Sequence, residues 1–387
     1  MYKVNFFDNK TLQPGLFSGI TVLRDEIKPF NFSQKIYWFP TSHNTSKILD
    51  QGYSSQLIAD LKNGAFLIYD ICLEPGNVSW LNDLLDPLIT IFKKNKISLK
   101  KLIVLSATPK SLYGDCEYSY LFFNDQLYNV VHRFKKSNEL PKKTLFKKHF
   151  LSLSRKDTLV RRYINFLLHT KNLFDKGLVS HVRGSTMEEH QLVPVSSDLE
   201  IAKGDLSFIQ THNLNTKEYL KYGFKQHFLD TTDTGMENYH WLNMYNFDIH
   251  FKLSESVPLE LVNETYAFGS DSLFFTEKIA KPILSKSIFL LIGNPFLLSF
   301  IKQLGFKTFP HLFDESYDKE LDNVKRTSIV FKNLEDFCKI PLVDCKKIYD
   351  ENMEILNYNY NHLLNTKWDF SIKSRIEKLI TKESFND

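Results

Sequence analysis

Cysteine is scarce in this chain: Cys72, Cys116, Cys338 and Cys345 are the only four in 387 residues. Their spacings match no zinc pattern and they are too few for a disulfide framework, so a metal-stapled or disulfide-rich secreted domain is excluded and a reducing compartment is expected. No Gly-x-Gly-x-x-Gly run follows an apolar stretch, which argues against a dinucleotide-binding dehydrogenase or epimerase. Long apolar runs are also missing. The longest, Ile288 to Ile301, is broken by Gly293, Asn294 and Pro295, so no membrane insertion is expected. The opening Met1 to Asp8 lacks the apolar core of a signal peptide. These absences together predict a cytoplasmic protein. The net charge of +4 is too small to define a partner. No internal repeat or low-complexity segment is present.

What remains is ordinary globular composition, with 43% hydrophobic and 24% charged residues, in a chain long enough for two domains. The distribution of charge carries more than its sum. From His132 to Tyr163 eleven Lys and Arg stand against two acids, Glu139 and Asp157. Such a run is read as a solvated surface or linker, with a polyanion-binding face as the alternative.

In the first part of the chain Ile36 to Pro40, Ala65 to Leu73 and Lys101 to Ser106 read as strands, with helices at Ser54 to Lys62 and Ser79 to Lys94. Apolar strands separated by helices of this length indicate parallel crossovers, hence an α/β class with a Rossmann-like first domain at 1–140. Glu74 opens the exit loop of the second strand and is the candidate catalytic base for an acceptor hydroxyl, which requires its pKa to rise toward neutrality.

The chemistry concentrates further on. Leu259 to Val262 reads as a buried strand, Glu264 to Ser272 as its polar exit loop, Thr276 to Leu284 as a helix and Ser287 to Ile292 as the next strand, closing on Gly293-Asn294-Pro295. In a parallel sheet, ligands collect where such an exit loop meets a helix N-terminus, whose free amides favour phosphate. Thr276 is placed to cap the helix, Glu277 offers acceptors for ribose hydroxyls and Lys278 a charge for a diphosphate. The glycine turn is expected to let a ligand approach the backbone.

Phe275-Thr276-Glu277-Lys278, followed by an apolar helix and a strand ending in Gly, resembles the donor-binding motif of fucosyltransferase-like glycosyltransferases. The wider stretch, through Gly305 to Phe309 and Asp314 to Asp318, resembles glycosyltransferase-like proteins of phage and marine bacterial genomes. That resemblance implies two Rossmann-like domains facing a central cleft, the GT-B architecture, with Glu277 on the donor ribose and Lys278 on the diphosphate.

Within it, His149 to Arg155 resembles the opening strand of the donor domain, followed by a helix from Thr158 to Thr170. This implies that Arg155, or one of Arg161 and Arg162, faces the donor phosphates. Arg155, at the strand exit, is preferred, and the adjacent pair is read as solubilising a helix face. Glu264 and Ser270 are expected to line the sugar side.

The expected organisation is therefore an acceptor domain at 1–140, a basic linker at 141–148, a nucleotide-sugar domain at 149–340 and C-terminal helices at 341–387 crossing back onto the first domain. The region His190 to Trp241 is polar and yields no clear element, and Asp230 to Asp233 within it is read as a loop, because enzymes of the resembled architecture need no metal there. The expected activity is metal-independent transfer from a nucleotide sugar to a hydroxyl, with no other cofactor, in a bacterial or phage-infected cell. The acceptor is a glycan, or a hydroxymethylated base in DNA, for which the basic run is the supporting feature. The rival reading is a non-enzymatic, nucleotide- or glycan-binding or virion-associated protein that keeps the fold.

Overall fold

The computed structural model describes residues 5–6, 36–40, 54–71, 78–106, 117–122, 127, 130–131, 134, 140–154, 158–181, 198–225, 247–264, 267–268, 273, 276–366, 368, 375–376 and 378–380. The chain divides into two compact units: unit 1 takes Met1–His132, Ser270–Phe274 and Thr366–Asp387, and unit 2 takes Arg133–Gly269 and Phe275–Asn365. Both are α/β, each built on a parallel sheet.

Unit 1 carries β1 (Asn5–Phe6), β2 (Ile36–Pro40), β3 (Phe66–Asp70), β4 (Leu102–Ser106) and β5 (Ser119–Phe122), joined in the order β1-β2-β3-β4-β5. Its inner strands are near-continuous apolar runs because a parallel sheet is covered on both faces. Leu57 and Leu61 of α1 (Ser54–Lys62) and Leu85, Leu88 and Phe92 of α2 (Val78–Lys94) pack on Leu67, Tyr69, Leu102 and Val104. Among the described residues this sheet runs in chain order, without the reversal of strand order that marks a doubly wound sheet. Glu74 lies outside the described residues.

Unit 2 carries β6 (Phe150–Ser154), β7 (Gly177–His181), β8 (Leu259–Asn263) and β9 (Ile288–Ile292), also parallel, in the order β7-β6-β8-β9. Here the order reverses: after β7 the chain returns to the other side of β6. Carboxyl ends of strands flanking such a reversal form the ligand crevice of open α/β sheets. Gly177 stands opposite Phe150 across β6 and β7, and a Cβ there would lie 2.4 Å from the Phe150 ring, so the glycine makes room for the aromatic.

The helices of unit 2 are α3 (Leu159–Thr170), α4 (Asp198–Thr211), α5 (Thr216–Gly223), α6 (Phe247–Ser254), α7 (Glu277–Leu284), α8 (Leu297–Gln303), α9 (Asn323–Phe337), α10 (Leu342–Glu351) and α11 (Met353–Asn365). Several differ from the sequence expectation. Helices α4 and α5 occupy part of the polar region 190–241 in which the sequence shows no clear element, and Asn215 caps α5 by accepting from the Glu218 amide at 3.1 Å. The helical periodicity that runs through Asp344 to Leu364 is divided between α10 and α11, broken at Asn352, whose Nδ2 donates to the Ile348 carbonyl at 2.9 Å and competes with the helical ladder. Phe306 to Phe309, an alternating segment with the pattern of a brief strand, forms none, because its backbone pairs with a side chain. The Asn359 carboxamide accepts from the Lys307 amide and donates to the Lys307 carbonyl, both at 2.8 Å.

The segment 141–148 is not a free linker. The Lys147 and Lys148 amides donate to the Ser256 carbonyl at 2.8 and 3.2 Å. Lys143 is buried, its ammonium donating to the Ser254 and Val257 carbonyls at 2.5 and 2.9 Å and to Ser287 Oγ at 2.8 Å. Helices α10 and α11 fall within unit 2, where α11 packs on α7.

Candidate functional site

The site is built at the carboxyl edge of β8. Asn263 ends that strand, and its Nδ2 donates to Ser152 Oγ at 3.0 Å and Ser154 Oγ at 3.5 Å at the end of β6. These hydroxyls tie the two strands that flank the order reversal. The next residue, Glu264, donates its backbone amide to the Ile292 carbonyl at 3.0 Å, which extends the pairing of β8 with β9 by one position.

Glu264 is buried and its carboxylate is spent on one residue, accepting from the Thr276 amide at 3.0 Å and the Thr276 hydroxyl at 2.9 Å. Thr276 in turn caps α7, its Oγ1 accepting from the Lys278 amide at 3.3 Å. The Lys278 ammonium folds back over this cap, 2.7 Å from Thr276 Oγ1, 3.4 Å from Glu277 Oε1 and 4.0 Å from Glu264 Oε2. Four of the six residues that sequence reasoning placed at the donor site are therefore brought together: Glu264, Thr276, Glu277 and Lys278. Arg155 and Ser270 lie outside the described residues.

The two carboxylates are driven in opposite directions. Burial pushes the Glu264 carboxyl above its ordinary value, against the Lys278 charge and the Thr276 hydrogen bonds. Burial also opposes ionisation of Glu277, but Lys278, Lys281 and its own backbone amide outweigh it and hold that carboxyl below its ordinary value. The cluster thus presents one firmly ionised acid and one lysine, whose side chain is 22% exposed, at a helix N-terminus.

The turn after β9 is filled by the protein itself. A Cβ on Gly293 would lie 2.4 Å from Cδ2 of Leu297, so the glycine makes room for that side chain. Asp318 accepts from the Leu298 and Ser299 amides at 2.8 and 2.9 Å, so the first turn of α8 already holds an anion, the acid of the sequence stretch 314–318.

Sequence reasoning missed Arg326. Buried at the start of α9, it donates to the Gly293 carbonyl at 2.9 Å, to the Ala267 carbonyl at 2.7 Å and to the Glu320 carbonyl at 2.9 Å. It joins the exit of β8 to the end of β9, and only three-dimensional proximity reveals it.

The arginine pair is also corrected. Arg161 and Arg162 are buried on α3, of which every residue from Val160 to Leu168 is buried, so they solubilise nothing. Arg162 is held by Asp205 in a two-point ion pair, Nε to Oδ2 at 2.7 Å and Nη2 to Oδ1 at 2.9 Å, which removes it from the donor phosphates.

No protein-family model matches the chain, and no curated protein matches it in sequence. Among solved structures it is similar to T4 phage BGT in complex with UDP and Mn2+. Identity is 11%, coverage is 98% of each chain and the TM-score is 0.35.

Among the described residues no group of three or more His, Cys, Asp or Glu side chains is placed to hold a metal ion. No helix among them is long and apolar enough to cross a membrane.

Proposed function

We propose that the protein is a glycosyltransferase whose unit 2 binds a nucleotide sugar at the carboxyl edge of β6 and β8. The observation that carries this reading is the Lys278 ammonium. It is partly exposed at the N-terminus of α7, beside an ionised Glu277 and a strand-order reversal. Fixed positive charge there neutralises a leaving diphosphate as the glycosidic bond to it breaks, the task a metal performs in other enzymes. Arg155, at the exit of β6, supplies the second cation in this proposal. Glu277 accepts from the ribose hydroxyls, and Ser270 stands on the sugar side. Glu264 becomes a positioning residue, since Thr276 takes both its oxygens. Glu74 in unit 1 takes the proton of the attacking acceptor hydroxyl, and the reaction needs no metal.

A glycan hydroxyl is the first choice of acceptor. The hydroxymethylated DNA base rested on the basic run, and Lys143, Arg161 and Arg162 of that run are buried, with Lys143 and Arg162 spent on the protein's own groups. A second reading has its own observation: three side chains of the cluster already engage Lys278, which suits a non-enzymatic nucleotide- or glycan-binding, virion-associated protein. Incubation with labelled nucleotide sugars and a panel of glycans and hydroxymethylated DNA, with and without chelator, separates the two. Chelator-resistant sugar transfer supports the enzyme, and ligand binding without transfer or hydrolysis supports the binding protein.

A further inference from the structure

A cavity of about 300 Å³ opens at the amino edge of the unit 2 sheet, the edge opposite Lys278. It lies where α7 ends before β9, between the chain at Leu140 and Pro141 and the junction of α10 with α11. The five residues of β9 hold the two edges roughly 16 Å apart. Leu140, Pro141 and Met353 make its walls apolar, and Tyr349 adds an aromatic ring.

Three charged side chains line the cavity, and two are already satisfied. The Lys143 ammonium has an acceptor for each of its N–H groups, at Ser254, Val257 and Ser287, and Glu260 offsets its charge. Asp350 is held by the Lys346 ammonium at 2.5 and 2.6 Å. Lys286 differs. Among the described residues its ammonium meets no carboxylate and no hydrogen-bond acceptor, only the face of the Tyr360 ring, 4.7 Å from the centroid. A ring face attracts the charge but leaves three N–H donors unused. Burial already pulls the Lys286 pKa down, so this cation is partly withdrawn from water without an anion to compensate it.

These features select a ligand. One unspent cation calls for one anionic group, and a carboxylate accepts charge-assisted hydrogen bonds from an ammonium. The apolar walls call for an apolar body behind it. A polyphosphate would face a single free cation with Asp350 beside it, and a sugar would set its hydroxyls against the apolar walls. The volume is that of a small-molecule site.

We propose that this cavity binds a small monocarboxylate with an aromatic or short alkyl body, its carboxylate on Lys286 and its body against Leu140, Pro141 and Met353. The site goes beyond the nucleotide-sugar reading and does not depend on it.

Benzoate and hexanoate are the probes, with benzamide and hexanamide as their uncharged counterparts and inorganic phosphate as a bare anion, all at constant ionic strength. In thermal unfolding of the full chain at least one carboxylate should raise the midpoint, and the amides and phosphate should not. Lys286→Gln removes only the charge, and carboxylate affinity should fall about tenfold by calorimetry. Lys286 has a φ of 51° just past the Ser285 C-cap of α7, where glycine is favoured. Lys286→Gly should therefore melt at or above the wild-type temperature while losing the carboxylate response, which separates binding from stability. Lys278→Ala, at the other edge of the sheet, should leave that response intact. No rise with either carboxylate, an equal rise with the amides or with phosphate, or a rise undiminished in Lys286→Gln overturns the site. A rise lost in Lys278→Ala also overturns it, by moving the anion to the carboxyl edge.

Discussion

The Glu264 carboxylate accepts from both the backbone amide and the hydroxyl of Thr276, at 3.0 and 2.9 Å, so the exit loop of β8 and the N-cap of α7 are fastened by one residue pair. The cap then fixes where Lys278 sits, because Thr276 Oγ1 lies 2.7 Å from the ammonium. Chain residues twelve apart thereby act as one unit.

Thr276→Val should expose that dependence. It removes the cap and leaves a Glu264 oxygen buried without its donor, so a loss of about 1–3 kcal/mol is expected in urea unfolding. Thr276→Ser should retain most of the stability. Equal stability of all three proteins would show that the pair does not fasten the loop.

The polar network at the other end of β8 predicts a pH dependence. Burial disfavours a charged Glu260, but His250, Lys143 and the Ser287 hydroxyl outweigh it and hold its carboxyl at about 2, against an ordinary 4.5. The unfolded chain therefore takes up a proton first as pH falls. Glu260 contributes stability that is complete above pH 4.5 and lost toward pH 2, roughly 3 kcal/mol in all. Burial acts in the opposite sense on Lys143, lowering it from 10.5 to about 7, so its contribution should grow more favourable as pH rises through that window. Urea midpoints across both ranges check this. Glu260→Gln should lose the acid limb and Lys143→Met the alkaline one, and slopes unchanged from wild type would contradict the assignment.

Much of the fold was legible because a period of two or an unbroken apolar run signals a strand wherever it lies. The runs at Ala65 to Leu73, Lys101 to Ser106 and Ser287 to Ile292 each hold the expected strand, trimmed at the ends to Phe66–Asp70, Leu102–Ser106 and Ile288–Ile292. The cluster at the start of α7 was legible for a similar reason, since capping Thr, Glu and Lys are neighbours in sequence. What failed depended on distant partners. Nothing near Arg162 announces Asp205, nothing near Lys307 announces Asn359, and the lysines of 141–148 look like a solvated linker until Ser254, Val257 and Ser287 close around one of them. Charge in sequence reads as exposure, and a buried pair inverts that reading.

The Arg162–Asp205 pair should behave as a buried pair does. Arg162→Ala leaves Asp205 uncompensated and should cost about 3–5 kcal/mol, whereas Arg162→Met with Asp205→Leu should recover most of it. Denaturant unfolding of the single and double variants measures this. A single-variant loss below about 1 kcal/mol would place the pair in solvent.

The central claim is that Lys278 holds the diphosphate of a nucleotide sugar, and thermal unfolding against a panel of nucleotides and nucleotide sugars tests it most directly. Ligand that binds only the folded protein raises the midpoint. The account predicts a rise with at least one nucleotide sugar in the wild type, absent in Lys278→Ala at comparable intrinsic stability. A midpoint indifferent to every nucleotide sugar, or a rise undiminished in Lys278→Ala, would contradict it.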